Sequence, residues 1–195
     1  MSATDHTTRK PTVVFLVDTR EQRPLEFGPP IRTDHFSGAT THVTMLREGD
    51  YAVSLDGATP LSIRLERKSL GDLYACIGLH RDRFEAELKR LREYDYRGII
   101  IEATLGEFAA GYHRSQISPR AALGSLCAWA VRHHLAVWFA GDHRAAAAIV
   151  QRLLEAFAID VLRRDPAPQA ARTEDAPRTL LFAPNLKSRG SDEQG

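Results

Sequence analysis

Three consecutive charged residues, Glu66, Arg67 and Lys68, occur in the segment LERKSLGDLY, which otherwise has the pattern of a buried strand that runs into a helix. Because side chains alternate along a strand, Glu66 and Lys68 point to one face and Arg67 to the other. The Cα atoms of Glu66 and Lys68 are then roughly 6.7 Å apart, which leaves room for a shared ligand. The spacing predicts a polar site at the end of this strand.

A second carboxylate, Asp50, joins this site if its strand pairs with the Glu66 strand as a hairpin. Asp56-Gly57 is a turn signal between the two strands. A loop over residues 56–60 places Asp50 directly opposite Glu66, whereas a tight turn at Asp56-Gly57 alone shifts the register.

Two facing carboxylates repel each other, which is costly in a half-buried site unless a cation lies between them. Oxygen ligands favour a hard ion, Mg²⁺ or Mn²⁺, which keeps several waters and binds through one or two carboxylates plus phosphate oxygens. A polarised water can attack a phosphodiester, and Lys68 can hold that water, deprotonate it or offset charge on the phosphate. The pattern predicts metal-dependent phosphodiester hydrolysis, although an exposed, salt-bridged strand end has the same Glu-x-Lys spacing.

Strand and helix patterns alternate along the rest of the chain. Strand patterns cover residues 12–21, 41–69 (as successive strands), 97–104 and 135–142, and helix patterns cover 69–78, 80–95, 118–134 and 143–164. Ser118 is a predicted N-cap with Pro119 at the first helical position, and Asp142 is predicted to cap the last helix. This order predicts an α/β fold with a central mixed β-sheet flanked by α-helices.

Length and composition favour one main domain, since the chain has 195 residues of which 43% are hydrophobic. The predicted organisation is a disordered leader over residues 1–11, a domain over 12–164, and a flexible tail rich in proline, alanine and charge over 165–195. The formal net charge is +1, so a phosphate-rich partner must meet a local basic surface.

Cysteine usage and hydropathy bear on the compartment. Cys76 and Cys127 each lie in an apolar segment, which fits reduced core thiols. The first residues lack an apolar core of signal-peptide length, and no run is long enough to span a bilayer. We therefore expect a cytoplasmic protein with no membrane partner.

Five motifs together resemble a known family. They are VDTRE (17–21), GDY (49–51), ERKSLGD (66–72), RFEAELKRL (83–91) and IIIEAT (99–104). They closely resemble the nuclease domain of the XPF/MUS structure-specific endonucleases, within the PD-(D/E)XK superfamily, and the resemblance covers residues 13–158. It implies a restriction-endonuclease-like fold and an Mg²⁺- or Mn²⁺-dependent endonuclease that cuts DNA at branched or single-strand/double-strand junctions in repair or recombination.

The resemblance also implies roles for individual residues. Asp50 and Glu66 match the metal-binding carboxylates of the catalytic site, and Lys68 matches its catalytic lysine. Asp18 and Glu21 match acidic residues of the first motif and are expected beside the metal.

The remaining motif residues are expected to support the chemistry or to contact DNA. Arg67 and Asp72 complete the catalytic motif in supporting or phosphate-contacting roles, with the Arg67 carbonyl as a further metal ligand. Asp72 is equally well interpreted as a helix-capping or salt-bridging carboxylate. Arg20, Arg67, Arg81 and Arg83 are the predicted DNA contacts, although helices with interleaved Glu and Arg are commonly just solvated.

Two departures from the family pattern limit the transfer. A glutamine often found three residues after the Phe84 position is Glu87 here, which changes a packing or DNA contact. The tandem helix-hairpin-helix domain that usually follows is not expected after Arg164, so junction preference must come from a partner or from the nuclease domain itself. We expect DNA as a partner, and a homodimer or a heterodimer with another subunit of the family. The alternatives are a non-catalytic DNA-binding subunit and a single-strand or RNA nuclease.

Overall fold

The structure is a computed structural model that describes residues 10–164, in which six strands form one sheet. The strands are β1 (Thr12–Asp18), β2 (Gly38–Thr44), β3 (Tyr51–Ser54), β4 (Ile63–Ser69), β5 (Tyr96–Glu102) and β6 (Ala136–Phe139). The helices are α1 (Leu70–Ile77), α2 (Arg81–Leu91), α3 (Leu105–Ala110), α4 (Pro119–His133) and α5 (His143–Arg164). The expected leader falls mostly on residues 1–9 and the expected tail on residues 165–195, and both stretches lie outside the described residues.

The sheet is mixed, with the strand order β2-β1-β3-β4-β5-β6. β1 runs parallel to β2, and β4, β5 and β6 run parallel to one another. β3 is antiparallel to both of its neighbours, so β3 and β4 form the predicted hairpin. The predicted α/β class, a mixed sheet with helices around it, is confirmed. β4 lies inside the sheet, paired along both edges.

Hydrophobic side chains cover both faces of the sheet. On one face, Phe15 of β1 and Ile100 of β5 pack with Val150 and Leu154 of α5. On the other face, Ile99 and Ile101 of β5 pack with apolar residues of α1, α2 and α4, namely Leu73, Phe84, Leu88, Leu126 and Trp129. Each such side chain contributes about 1.5–3 kcal/mol through burial, before conformational entropy is subtracted. The strands that carry the polar motifs are therefore anchored from both sides.

Both helix caps that the sequence predicts are found in the structure. The Ser118 hydroxyl accepts from the Ala121 N–H at 3.3 Å, and Asp142 Oδ1 accepts from the Ala145 N–H at 2.7 Å, as predicted. The short helix α3 was not predicted. It begins with a capping box, in which Thr104 and Glu107 each accept the other's backbone N–H.

The two cysteines differ in environment. Cys76 is buried in α1, whereas Cys127 is exposed on α4. The prediction that both are core thiols is therefore wrong for Cys127, because it occupies the outer side of an otherwise apolar helix. None of the helices within residues 10–164 has both the length and the apolar character needed to cross a membrane.

Candidate active site

Asp50 and Glu66 lie opposite each other at the end of the β3–β4 hairpin. Tyr51 pairs with Leu65, and the Asp50 N–H donates to the Leu65 carbonyl at 2.9 Å. The next positions outward are Asp50 and Glu66, so the predicted register is confirmed. Gly49 has a φ of +74°, and a Cβ at this position would lie 3.3 Å from the Leu65 carbonyl oxygen. Only glycine enters the strand here without strain.

Burial disfavours the charged form of both carboxylates. Glu66 is 4% exposed, and its pKa is raised well above the ordinary value by burial and then by the charge of Asp50. Burial also raises the pKa of Asp50 to about 6, although the Arg67 backbone N–H donates to Asp50 Oδ2 at 2.7 Å and favours the anion. Near neutral pH the pair therefore favours the approach of a cation.

Lys68 lies on the same face of β4 as Glu66. Its ammonium group contacts Glu66 Oε1 and lies 5.1 Å from the centroid of the Phe84 ring. Burial alone would lower the pKa of Lys68, but the Glu66 carboxylate raises it and the net shift is upward. In this arrangement Lys68 is a cation at neutral pH. A charged Lys68 fits the roles of holding a water and of offsetting charge on a phosphate.

Arg67 points to the opposite face of β4 and belongs to a second charged group, here called the arginine network, which consists of Glu21, Arg67, Glu102 and His143. Arg67 Nη2 and Nε donate to the two Glu21 oxygens at 2.7 and 3.1 Å. Arg67 Nη1 lies 3.2 Å from Glu102 Oε1, which also contacts His143 Nδ1 at 2.5 Å. The Arg67 side chain is 12% exposed and those of Glu21 and Glu102 are 4% and 8% exposed. The network ties the ends of β1 and β5 and the start of α5 to β4.

The network bears on two predicted roles. Glu21 was expected beside the metal, and its charge does raise the pKa of Asp50, after burial, but its own carboxylate is paired with Arg67. Arg67 was expected to contact DNA, yet its guanidinium is held between two carboxylates inside the protein. The Arg67 backbone N–H is the group that reaches Asp50. In this structure the Arg67 side chain connects β4 to neighbouring segments, and its backbone N–H holds the Asp50 carboxylate in place.

The carboxylate of Asp18 also accepts hydrogen bonds from residues outside the Asp50–Glu66 pair. It is 1% exposed, and its oxygens accept from Arg20 Nε at 2.6 Å and from the Leu46 N–H at 2.7 Å. Burial opposes ionisation, but the hydrogen bonds from Arg20 and Leu46 together lower the pKa of Asp18. Arg20, predicted to contact DNA, also donates to the Leu46 carbonyl at 2.9 Å. The pair fixes the loops that follow β1 and β2.

The four carboxylates predicted as metal ligands therefore do not come together. Asp18 is bound to Arg20, Glu21 is bound to Arg67, and Asp50 and Glu66 face each other. Within residues 10–164, no group of three or more His, Cys, Asp or Glu side chains is placed to hold a metal ion. Asp50 and Glu66 are thus the two predicted ligands that face each other, and the ligand roles of Asp18 and Glu21 stay predictions.

Asp72 has the capping arrangement that the sequence left open. Ser69 is the N-cap of α1, its hydroxyl accepts from the Asp72 N–H at 3.1 Å, and it donates to Asp72 Oδ2 at 2.7 Å. An acidic residue in the first turn also favours the helix dipole. These contacts give Asp72 a structural role at the start of α1.

The two predicted DNA contacts of α2 differ. Arg81 Nε lies 3.0 Å from Glu85 Oε1 and its Nη1 donates to Ser125 Oγ at 3.0 Å, so it holds α2 against α4. Arg83 is exposed. The Arg81 side chain is 39% exposed but already engaged by Glu85 and Ser125, whereas Arg83 is exposed with no such ion pair within residues 10–164.

The donor chemistry at Asp50 and Glu66 fits a divalent cation. Both are oxygen donors, which suits Mg²⁺ or Mn²⁺, and two carboxylates are the number that such ions commonly use alongside water and phosphate. Burial is the main cause of the raised pKa values of Asp50 and Glu66, and the charge of Asp50 adds to the shift of Glu66. A bound cation would favour the charged form of both carboxylates.

Sequence reasoning missed Glu102 and His143. Glu102 ends the apolar run of β5, and β5 runs parallel to β4 with Ser69 beside Glu102. A signal was therefore present, because the carboxyl ends of parallel neighbouring strands meet at one edge of the sheet. His143 carried no such signal, since its contact with Glu102 depends on where α5 packs.

The fold and the site together define a class: a mixed α/β domain with two facing acidic residues and a lysine at the end of a central hairpin. The chain belongs to the ERCC4 domain family, whose pattern matches residues 17–153, more than half of its length. Solved structures that share the fold include XPF from Aeropyrum pernix and the same protein in complex with DNA. Each is 21% identical, with a TM-score of 0.54 and 77% of this chain covered, and the matches span 69% and 66% of those chains respectively. No match was found among curated proteins. The family resemblance inferred from the motifs is confirmed.

Proposed function

We propose that the chain is a metal-dependent DNA endonuclease that hydrolyses phosphodiester bonds at branched or single-strand/double-strand junction DNA, in repair or recombination. The observation that carries this proposal is the placement of Asp50 opposite Glu66 with Lys68 on the same face. Membership of the ERCC4 domain family supports it. The DNA complex of XPF from Aeropyrum pernix supports DNA as the partner.

Asp50 and Glu66 are the residues that would hold Mg²⁺ or Mn²⁺. A bound divalent cation supplies Lewis acidity, which lowers the pKa of nearby water and neutralises phosphate charge. Lys68 keeps its own positive charge beside Glu66, where it offsets the negative charge that builds up on a phosphate under attack. The Arg67 backbone N–H fixes the Asp50 carboxylate. Phe84 shields one side of the Lys68 ammonium from water.

A second subunit is part of the proposal, on the strength of the family resemblance alone. A homodimer, or a heterodimer with another subunit of the family, would supply junction contacts additional to those of this domain. Light scattering at working concentration tests the homodimer, and a monomeric mass there rules it out.

The test of the reaction uses end-labelled linear, flap, fork and single-stranded DNA with Mg²⁺, Mn²⁺ or EDTA. Asp50→Ala and Lys68→Ala are compared with Asp34→Ala and Lys89→Ala, which remove the same charges from exposed positions. We expect metal-dependent cutting that only the first two variants lose, by at least about 100-fold.

Two other outcomes would redirect the proposal. Salt-sensitive DNA binding without cutting, retained by Asp50→Ala and Lys68→Ala, would indicate a non-catalytic DNA-binding subunit. Cutting confined to single strands or RNA would indicate a nuclease of a different substrate class.

A further inference from the structure

Helix α2 faces the site with one side of its surface. The Phe84 ring lies under the Lys68 ammonium, 5.1 Å from it. Two turns further along, Arg90 Nε lies 2.5 Å from Glu48, which precedes Asp50 by two residues and is only 10% exposed. Both contacts reach the segments that carry the facing carboxylates.

Glu87 lies between these two contacts on the helix. It is three residues from Phe84 and three from Arg90, and residues at this spacing are neighbours on one helix face. Its carboxylate therefore points toward Asp50, Glu66 and Lys68. The electrostatics agree with this placement. Burial and other neighbouring groups have the larger effects on the pKa values of Asp50, Glu66 and Lys68, and the charge of Glu87 adds a smaller upward shift to each.

The two cations whose charges act on Glu87 already form ion pairs with other carboxylates, Lys68 with Glu66 and Arg90 with Glu48. Glu85 lies two residues before Glu87, on the opposite side of the same helix. It is paired with Arg81 and accepts a hydrogen bond from the Trp129 indole at 3.0 Å. Glu87 has neither a hydrogen bond nor an ion pair within residues 10–164, and it is only partly exposed. The neighbouring guanidinium of Arg90 is engaged by Glu48.

The charges around the site do not balance without an added cation. Asp50, Glu66 and Glu87 face one ammonium, that of Lys68, and the Arg67 guanidinium on the other face is matched by Glu21 and Glu102. When the three carboxylates are ionised, the surplus equals the charge of one divalent ion.

We propose that Glu87 is a third anionic group of this site, which strengthens divalent-cation binding and weakens DNA binding when the cation is absent. The inference rests on the proposed function. Glu87 acts by its charge, and since Mg²⁺ retains several waters, direct coordination is not required. The two effects have opposite signs, and a mere loss of folding would not produce them together.

The test measures Mg²⁺ and Mn²⁺ affinity by isothermal titration calorimetry of the DNA-free protein. Glu87→Gln is compared with Glu93→Gln, an exposed neutralisation just beyond α2, and with Glu87→Asp, which keeps the charge. We expect about tenfold weaker cation binding for Glu87→Gln, in the range found when groups that support metal ligands are altered. Glu93→Gln should match the wild type, and Glu87→Asp should lie within about threefold of it.

DNA binding in EDTA supplies the second readout. Fluorescence anisotropy should show about threefold tighter binding of fork DNA to Glu87→Gln at low salt, and the difference should shrink at high salt. Circular dichroism checks that each variant is folded. Equal cation affinity in Glu87→Gln and Glu93→Gln overturns the inference.

The outcome also separates this inference from the proposed function. If the wild type binds a cation that Asp50→Ala does not bind, while Glu87→Gln is unchanged, only the role of Glu87 is lost. If the wild type binds no divalent cation at all, both the inference and the metal-dependent function are lost.

Discussion

The charged side chains on the two faces of β4 differ in how well they are paired with opposite charges. On one face, the carboxylates of Asp50 and Glu66 share a single ammonium, and burial raises the pKa of each. On the other face, one residue away, Arg67 is matched by Glu21 and Glu102, and despite burial these carboxylates raise its pKa. The same strand thus carries one face on which buried carboxylates outnumber the cations, and one on which a buried arginine is paired with two carboxylates.

Removal of Arg67 should have the largest effect on stability. Arg67→Ala leaves Glu21 and Glu102 buried without their cation, and breaking such a group costs about 3–5 kcal/mol of unfolding free energy. Urea denaturation measures it. Arg47→Ala, which breaks an exposed pair with Glu93, should change the unfolding free energy by less than about 1 kcal/mol. Equal losses in the two variants would show that the arginine network is not specially stabilising.

Neutralising a carboxylate on the other face should raise the unfolding free energy instead of lowering it. The pKa of Asp50 is about 6 in the folded protein and 3.8 as its reference value, so the folded state holds a proton more tightly than the unfolded state does. Metal-free stability should therefore fall as the pH rises from about 4 to 6, and stay low above it. Asp50→Asn should gain about 1–3 kcal/mol at pH 7.5 in EDTA, while losing cation binding.

Thermal melts in EDTA across this pH range test the Asp50 prediction. The gain of Asp50→Asn over the wild type should disappear below pH 4, where Asp50 is protonated in both states. Asp34→Asn, at an exposed position, should show no such pH dependence. A variant that is less stable than the wild type at pH 7.5 would contradict the interpretation.

A milder change within the arginine network should show whether the two faces are independent. Glu102→Gln weakens the contacts to Arg67 and His143 and should cost about 1–2 kcal/mol. Cation affinity at Asp50 and Glu66, measured by calorimetry, should stay within about twofold, because the Arg67 backbone N–H still holds Asp50. A tenfold loss of affinity would mean that the network positions the metal ligands.

The smallest effect is expected at Asp72. Asp72→Asn keeps a group that can accept from Ser69 but removes a charge from the first turn of α1, which should cost about 0.3–1 kcal/mol. The cleavage rate should remain within about threefold of the wild type. A folded Asp72→Asn variant that no longer cuts DNA would restore the catalytic role suggested by the motif.

The features that could be predicted from the sequence depend on local signals. Strand alternation placed Glu66 and Lys68 on one face, and the loop after Asp56 gave the register that brings Asp50 opposite Glu66. Capping residues located the starts of α4 and α5. These signals act over a few residues, so they survive without knowledge of the tertiary packing.

The features that escaped prediction depend on packing between distant segments. Arg67 has the same sequence signal whether it contacts DNA or Glu21, and only the approach of β1, β5 and α5 decides between them. The pairing of Asp18 with Arg20 and Leu46 likewise requires the loop after β2 to lie beside β1. Helix α3 was missed because six residues with one buried side chain, Phe108, give almost no periodicity.

The contacts on the two faces of β4 also close loops of different length, which bears on the order in which the domain assembles. The hydrogen bond from Arg67 to Asp50 joins residues 17 apart, whereas the contacts of Arg67 with Glu21 and of His143 with Glu102 join residues 46 and 41 apart. Because closing a longer loop costs more chain entropy, the hairpin forms at lower cost than the network. The hairpin that brings Asp50 opposite Glu66 can therefore form before α5 docks, and the divalent ion of the proposed function would then favour its native register during folding.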